Sequence, residues 1–238
     1  KIALDHDLLS SPVPDNPACQ PFLVGYFPKA LRERFAADIP GHRLRREIIA
    51  TFIVNAMINR GGPAFVARMR DETGRPAADI ACAFLAARAF LDLSAIWTQL
   101  HALGGAIPGQ LQLDLYARIE DALTEQTAEL LRAGDVQDIE QVTARNKAAK
   151  DALTKAFAEI STARQRAIVS EQVAGWTAAG VPADLATQIA MLGIVGSIPA
   201  LTRLATETVK PAIEVAKVEF AAVEHLRIAE FKTRAATV

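Results

Sequence analysis

Hydrophobic residues recur at helical spacing along the whole chain, and the alternating apolar and polar pattern of a strand is absent from the sequence. In "PAADIACAFLAARAFL", apolar residues stand at Ile80, Phe84, Ala87 and Leu91, and Pro76 opens the run as it does in many helices. Alanine is frequent and aromatic residues make up only 6% of the chain, a balance that favours helices. The sequence therefore predicts an all-α fold, a multi-helix bundle.

Two long amphipathic helices are predicted in the middle of the chain, joined by a short turn at Ala133-Gly134. The apolar face of the first is traced by Leu111, Leu115, Ile119, Leu123 and Leu130, and that of the second by Ile139, Val142, Ala149, Leu153, Phe157 and Ile160. Their opposite faces are heavily charged, which indicates a long antiparallel helical hairpin. We therefore expect three parts: an N-terminal helical subdomain (1–108), the hairpin (109–161) and a C-terminal helical subdomain (162–238). They could also pack as one compact domain.

A faint internal repeat relates residues 61–93 to residues 196–228 at an offset of 135 positions. Identical residues at this offset include Gly61 with Gly196, Arg68 with Arg203, Glu72 with Glu207, Thr73 with Thr208, and Pro76 with Pro211. One interpretation is a duplicated helix-turn-helix unit, and the other is chance similarity between two alanine-rich helices. Duplication predicts that the two segments superpose as helix pairs.

The overall charge and the apolar runs exclude several classes of function. The net charge of −1 gives no electrostatic case for nucleic acid or for an anionic membrane surface. The most apolar run, residues 189–201, is about half the length of a spanning helix and contains glycine and proline, so we expect a buried helix end and a turn. Without a signal peptide or an initiator methionine, the chain is interpreted as a piece of something longer or a processed product.

A search for chemistry finds no catalytic, cofactor-binding or metal-binding residue in the sequence. No glycine-rich phosphate loop follows a strand, and the four histidines never share the spacing of a helical metal pair. Cys19 and Cys82 form no CxxC pair, and Cys82 lies in an apolar helical pattern that suits a small core residue.

A strip of polar residues runs along one otherwise apolar helix, "RREIIATFIVNAMINRGG". Its members recur at every fourth position, and we call them the polar seam: Glu47, Thr51, Asn55 and Asn59. A buried unpaired amide or hydroxyl costs about 1–3 kcal/mol. We therefore expect the seam to fix the register of this helix by hydrogen bonds to neighbours, with Glu47 paired to a nearby arginine. The alternative is that the strip simply faces water.

The most basic part of the chain lies at the start of the same helix. Positive charge is disfavoured at a helix N-terminus, so these arginines should have acidic partners within the fold or on another domain. A phosphate or an acidic ligand is the other interpretation. The candidate ion-pair or interdomain residues are Arg43, Arg45, Arg46 and Arg60.

Several motifs stand in close order along the chain: "YFPKALRERF", "HRLRREIIAT", "NRGGPAF" and "ETG", followed by "AARAFLDL" and, more weakly, "AGVPADLA". In this order they resemble the C-terminal region of the large bacterial NAD-specific glutamate dehydrogenases. The resemblance is strong over residues 22–113 and weak through the long helices.

The resemblance implies a parent enzyme that interconverts L-glutamate and 2-oxoglutarate plus ammonia with NAD, as a large cytoplasmic homo-oligomer. The catalytic and nucleotide-binding residues of that family lie upstream and have no counterpart in this sequence. We therefore expect a non-catalytic domain that packs against the catalytic domain of the same chain and serves packing, assembly or regulation. No nucleic-acid or membrane partner is expected, and an excised interface should leave an exposed apolar patch. The competing hypotheses are a self-standing helical scaffold or partner-binding module, and a catalytically active fragment.

Overall fold

The computed structural model describes residues 1–193 and 198–225, and within these ranges every regular element is helical, which confirms the all-α prediction. The α-helices are α1 (Ile2–Leu9), α2 (Gln20–Tyr26), α3 (Lys29–Arg34), α4 (Arg45–Gly61), α5 (Phe65–Thr73), α6 (Ala77–Phe90), α7 (Leu93–Ala102), α8 (Gly109–Ala133), α9 (Ile139–Ile160), α10 (Ala163–Ala178), α11 (Ala183–Leu192), α12 (Ile198–Thr208) and α13 (Ala212–His225). Short 3-10 helices span Val13–Asp15, Pro17–Cys19 and Ile39–Gly41.

The chain divides into two compact units that are interleaved along the sequence. The first unit comprises Lys1–Ala87 and Thr127–Thr143, and the second comprises Arg88–Gln126 and Ala144–Val238. The three consecutive parts expected from the sequence do not coincide with these units, because α8 and α9 each contribute residues to both. As segments that fold independently, the three parts remain a prediction.

In the first unit, α4 packs against α1, α2 and α5. Its buried side chains are Ile49, Ala50, Ile53, Val54 and Met57, a spacing that places them on one face of the helix. The rings of Phe22 and Phe52 stack with centroids 4.6 Å apart and fasten α2 to α4. The helix thus buries one face and leaves the other exposed.

The most deeply buried helix of the first unit is α6. Residues 80–87 are buried without interruption, as is typical of a helix that is apolar on all sides. The ring of Phe84 meets that of Phe65 edge to face at 5.7 Å, and both side chains are almost completely buried. The alanines of this run allow neighbouring elements to approach closely.

In the second unit, α11 packs against α7 and α10, and α12 packs against α13. Leu115, Ile119 and Leu123 of α8 are buried, as the apolar face predicted. The two long helices lie where the sequence places them, with residues 134–138 between them. Their packing as an antiparallel hairpin remains a prediction.

Prolines mark the starts of several helices. Pro76, Pro108, Pro182 and Pro211 stand immediately before α6, α8, α11 and α13. Proline suits these positions because the first amides of a helix have no intrahelical partner to lose. Pro76 precedes the second helix of the pair α5 and α6, and Pro211 precedes the second helix of the pair α12 and α13. Each proposed repeat unit is therefore a helix, a turn and a second helix. Residues 196, 197 and 226–228 lie outside the described residues, and superposition of the two units remains a prediction.

Two short α-helices flank the prolines of the N-terminal region. Helix α1 precedes them and α2 follows them, while Pro14 and Pro17 lie in the 3-10 helices. Leu8 and Leu23 are completely buried and anchor the two short helices.

No single helix of the described residues is long and apolar enough to cross a membrane. The consecutive helices α6 and α7 reach that length and hydropathy only together, and the chain bends sharply between them. The predicted helix end and turn at residues 189–201 fall partly outside the described residues, with α11 ending at Leu192 and α12 beginning at Ile198.

Candidate functional site

The polar seam of α4 faces solvent. Glu47, Thr51, Asn55 and Asn59 are all exposed. Within residues 1–193 and 198–225, none of their side chains makes a hydrogen bond or an ion pair. The prediction that the seam fixes the helix register through internal hydrogen bonds is therefore wrong, and so is the pairing of Glu47 with an arginine. Because α4 buries only its opposite face, water can satisfy these groups.

Two of the arginines at the start of α4 bind the segment that follows α1. The Nη2 atom of Arg45 lies 2.9 Å from a carboxylate oxygen of Asp15. Arg46 pairs with the same carboxylate and donates hydrogen bonds to the carbonyl oxygens of Leu9 (2.7 Å) and Ser11 (3.0 Å). One guanidinium thus satisfies carbonyls at the end of α1, where positive charge is favoured. These contacts tie the start of α4 to the N-terminal segment.

Arg43 and Arg60, the other two candidate arginines, differ in their exposure to solvent. Arg43 is exposed and makes no ion pair within the part of the chain that the structure describes. Arg60 is half-buried near the end of α4. Arg43 is therefore available to a partner outside this chain.

Exposed apolar side chains are concentrated in one part of the first unit. Half of the exposed large hydrophobic residues of the described ranges lie within residues 24–52. Helix α3 buries no side chain, and every residue from 28 to 38 is exposed. Single exposed apolar residues are ordinary, whereas a contiguous patch of them indicates an interaction surface. We group the six exposed apolar residues of this stretch of the chain under the name α2–α4 face: Val24, Tyr26, Leu31, Phe35, Leu44 and Phe52.

Positive charge accompanies the α2–α4 face. The guanidinium of Arg34 lies over the ring of Phe35 at 5.2 Å from its centroid. Arg32 and Arg43 are exposed, and in the described ranges neither makes an ion pair. The face therefore combines apolar contact area with arginines that make no ion pair in the described ranges, and acidic groups on a partner would complement those arginines.

The second unit contains a cavity of about 470 Å³, lined by residues of α7, α9 and α11. At its edge, Asp92 starts α7 in a left-handed conformation with φ of 58°. Its carboxylate lies 2.8 Å from the ammonium groups of both Lys147 and Lys150.

Opposing effects act on the ionisation of the Asp92 carboxyl. Partial burial raises its pKa, but hydrogen bonds from Lys147 and Lys150, together with their charges, lower it by more, so the pKa lies below its ordinary value. The hydrogen bond to Asp92 in turn raises the pKa of Lys147. Both groups are therefore charged at neutral pH.

The thiols and histidines of the chain do not form a reactive cluster. Cys19 and Cys82 are free and buried, and burial raises the pKa of each thiol to about 12. Such thiols stay protonated and are poor nucleophiles. Within the described residues, no group of three or more His, Cys, Asp and Glu side chains could hold a metal ion. This arrangement suits packing rather than covalent chemistry.

Sequence reasoning missed the cavity altogether. Asp92, Lys150 and Gln188 come from three separate segments, so no local pattern could bring them together. The one available signal was Asp92 itself, an acid in a short connection between two apolar helices.

These features define the chain as an all-α helical domain with an exposed apolar and basic face. Comparison with known proteins gives its family. The family described as "Glutamate dehydrogenase, C-terminal" matches residues 1–238, and the chain belongs to this family.

Three similar proteins are each named NAD-specific glutamate dehydrogenase. The protein of Halomonas elongata is 30% identical over 225 residues, which is 92% of this chain. The protein of Mycobacterium tuberculosis is 31% identical over 194 residues, or 79% of the chain. The protein of Pseudomonas aeruginosa is 36% identical over 115 residues, or 48% of the chain. The aligned regions span only 14%, 12% and 7% of the lengths of these relatives.

Proposed function

We propose that this chain is a non-catalytic helical domain of an NAD-dependent glutamate dehydrogenase, and that it packs against the catalytic part of its parent enzyme. The parent would convert L-glutamate, NAD and water to 2-oxoglutarate, ammonia and NADH, as a cytoplasmic homo-oligomer. The names of the relatives support this proposal, as does the small share of their length that the chain spans. The domain would serve packing, assembly or regulation, without nucleic-acid or membrane partners.

The proposal places no NAD site in this segment. A dinucleotide site of the common type needs a strand, a glycine-rich turn and a helix whose N-terminus meets the pyrophosphate. The described residues contain helices and no strand. The proposal therefore assigns NAD and the chemical steps to the remainder of the parent enzyme.

The α2–α4 face is the observation that supports docking to the catalytic part. Helix α3 has six residues and buries none of them, although a helix this short gains its order mainly from packing. Leu31 and Phe35 are spaced by four positions and are 42% and 40% exposed. An apolar partner surface would remove them from water, and acidic groups on it would neutralise Arg32 and Arg43. The partner that we propose for the α2–α4 face is the catalytic part of the same parent polypeptide.

The proposal is tested by co-expressing the chain with the catalytic part of the parent enzyme and by size-exclusion chromatography. We expect the two to elute together. The double variant Leu31→Asp, Phe35→Asp should elute separately, because two desolvated carboxylates oppose docking. Leu113→Asp is the matched control, since Leu113 is 63% exposed on α8, away from the α2–α4 face in sequence.

Two results would contradict the proposal. The chain and the catalytic part could elute separately under all conditions, which would favour a self-standing scaffold or partner-binding module. The isolated chain could also reduce NAD with glutamate in a spectrophotometric assay, which would identify a catalytic fragment. Circular dichroism of each variant should match that of the parent chain, because no buried side chain is changed.

A further inference from the structure

The cavity of the second unit has an apolar floor. Its volume of about 470 Å³ is within the range of small-molecule sites in proteins. Leu91, Ile96, Met191 and Leu192 line it, and all four side chains are buried. The floor could therefore cover a short hydrocarbon without any rearrangement of the core.

Some polar side chains around the rim of the cavity already make hydrogen bonds within the chain, and others make none. Thr187 donates its hydroxyl to the carbonyl oxygen of Ala183 at 2.8 Å. By contrast, the side chains of Thr154, Lys155 and Gln188 make no hydrogen bond or ion pair within residues 1–193 and 198–225. An ammonium, a hydroxyl and an amide are thus available beside the apolar floor.

Lys155 makes no ion pair in the part of the chain that the structure describes. Asp92 is held by Lys147 and Lys150, both at 2.8 Å, and Asp151 lies 3.9 Å from Lys147. These contacts are made within the network of Asp92, Asp151 and the two lysines. Lys155 is therefore the one lining ammonium that no carboxylate of the described residues contacts.

The edge of the cavity also has an unusual backbone. A residue other than glycine rarely adopts positive φ, and such positions are concentrated at ligand-binding and catalytic sites. Asp92 has φ of 58°, and its ion pair with Lys150 holds that lysine at the cavity wall. The ion pairs of this residue thus shape the rim while leaving Lys155 free.

We propose that this cavity binds a small amphipathic carboxylate. The carboxylate group is received by Lys155 with Thr154 and Gln188, and the hydrocarbon part lies on the floor formed by Leu91, Ile96, Met191 and Leu192. Ammonium, hydroxyl and amide donors suit an anionic acceptor. The site lies within the second unit and does not depend on docking to a catalytic part, so it can fail or hold independently of the proposed function.

The test is titration of the ¹⁵N-labelled 238-residue chain with three probes of equal length: hexanoate, 1-hexanol and hexylammonium. With hexanoate, we expect saturable amide shifts confined to the cavity-lining segments of α7, α9 and α11. Lys155→Gln should weaken hexanoate binding by about tenfold, since it removes a charge-assisted hydrogen bond. Gln188→Trp should abolish binding by filling the cavity from an exposed position. Lys217→Gln, an exposed lysine on α13, is the control and should change nothing.

Three outcomes would overturn the proposal. Hexanoate could cause no saturable shift in the cavity-lining segments. Hexanol or hexylammonium could bind as tightly as hexanoate, which would remove the preference for an anion. Lys155→Gln could bind hexanoate as tightly as the parent chain.

Discussion

Gly74 and Val209 both have positive φ, of 69° and 55°, at positions 135 residues apart. Gly74 ends α5 and Val209 follows α12. Each is followed two residues later by a proline that precedes a helix, Pro76 or Pro211. The offset is the one at which the sequence repeats, so each segment places a residue with positive φ at the corresponding position.

The positive φ of both residues predicts opposite effects of two substitutions on stability. Val209 is β-branched, so positive φ strains its backbone. Because its side chain is 90% exposed, packing does not offset this strain. Val209→Gly should raise the free energy of unfolding by about 1 kcal/mol, whereas Gly74→Ala should lower it by about 1 kcal/mol. Urea unfolding followed by circular dichroism measures both. If Val209→Gly proved neutral or destabilising, the turn would not be strained.

The contacts of Arg46 predict a specific loss of stability in the first unit. Arg46→Ala removes an ion pair and leaves the carbonyls of Leu9 and Ser11 without this donor, so we expect a loss of about 1–3 kcal/mol. Arg46→Lys should recover only part of it, because an ammonium cannot reproduce the fork of a guanidinium.

Arg43→Ala is the matched control for Arg46. Arg43 is exposed near the same helix start, and its substitution should change the free energy of unfolding by no more than about 0.5 kcal/mol. Equal effects of the two alanine substitutions would argue that the contacts of Arg46 do not stabilise the fold.

The larger helices could be predicted from the sequence because their signals are local. Apolar periodicity, prolines at helix starts and glycines at helix ends located α4, α6, α8 and α9 within a few residues. The short helices α1 and α2 could not be predicted in this way, since eight and seven residues give little intrinsic helix stability. Their formation depends on packing Leu8 and Leu23 into the core, which is a tertiary effect.

The exposed seam of α4 predicts tolerance to substitution in the isolated chain. Thr51→Ala and Asn55→Ala should each change the free energy of unfolding by no more than about 0.5 kcal/mol. Ile53→Ala, in the completely buried face of the same helix, should cost about 2–4 kcal/mol. Thermal or urea unfolding of the three variants checks the contrast. A loss above about 1 kcal/mol for Thr51→Ala would show that the seam is bonded after all.

The seam and the cavity show why a site is harder to predict than a fold. The helical spacing of the seam was correct, but apolar residues on both sides of α4 left its orientation undetermined, and burial of the opposite face decided it. The cavity is assembled from residues near positions 92, 150 and 188, whose proximity depends on how the helices pack. Periodicity identifies faces of helices and does not identify which faces meet.

The ion pairs of Asp92 predict a pH-dependent contribution to stability. The folded-state pKa of this carboxyl lies below its ordinary value. The contribution should therefore be fully present above about pH 4, the ordinary range of an unfolded aspartate, and should be lost as pH falls through the lower folded pKa. Asp92→Asn removes the charge and retains a residue that tolerates positive φ.

Urea midpoints of the parent chain and Asp92→Asn, measured from pH 7 downward, test this dependence. The parent chain should be the more stable at neutral pH, and the difference should shrink in acid. A difference that stays constant with pH would show that the effect of Asp92 is not electrostatic.

Hydrogen exchange tests the central claim, that the chain is a non-catalytic domain docked to its catalytic part through the α2–α4 face. Exchange would be followed by mass spectrometry on the isolated chain and on its complex with the catalytic part. We predict that amides of residues 24–52 become protected in the complex, and that Leu31→Asp, Phe35→Asp abolishes this protection. Protection confined to other segments, or unchanged exchange in residues 24–52, would contradict the account.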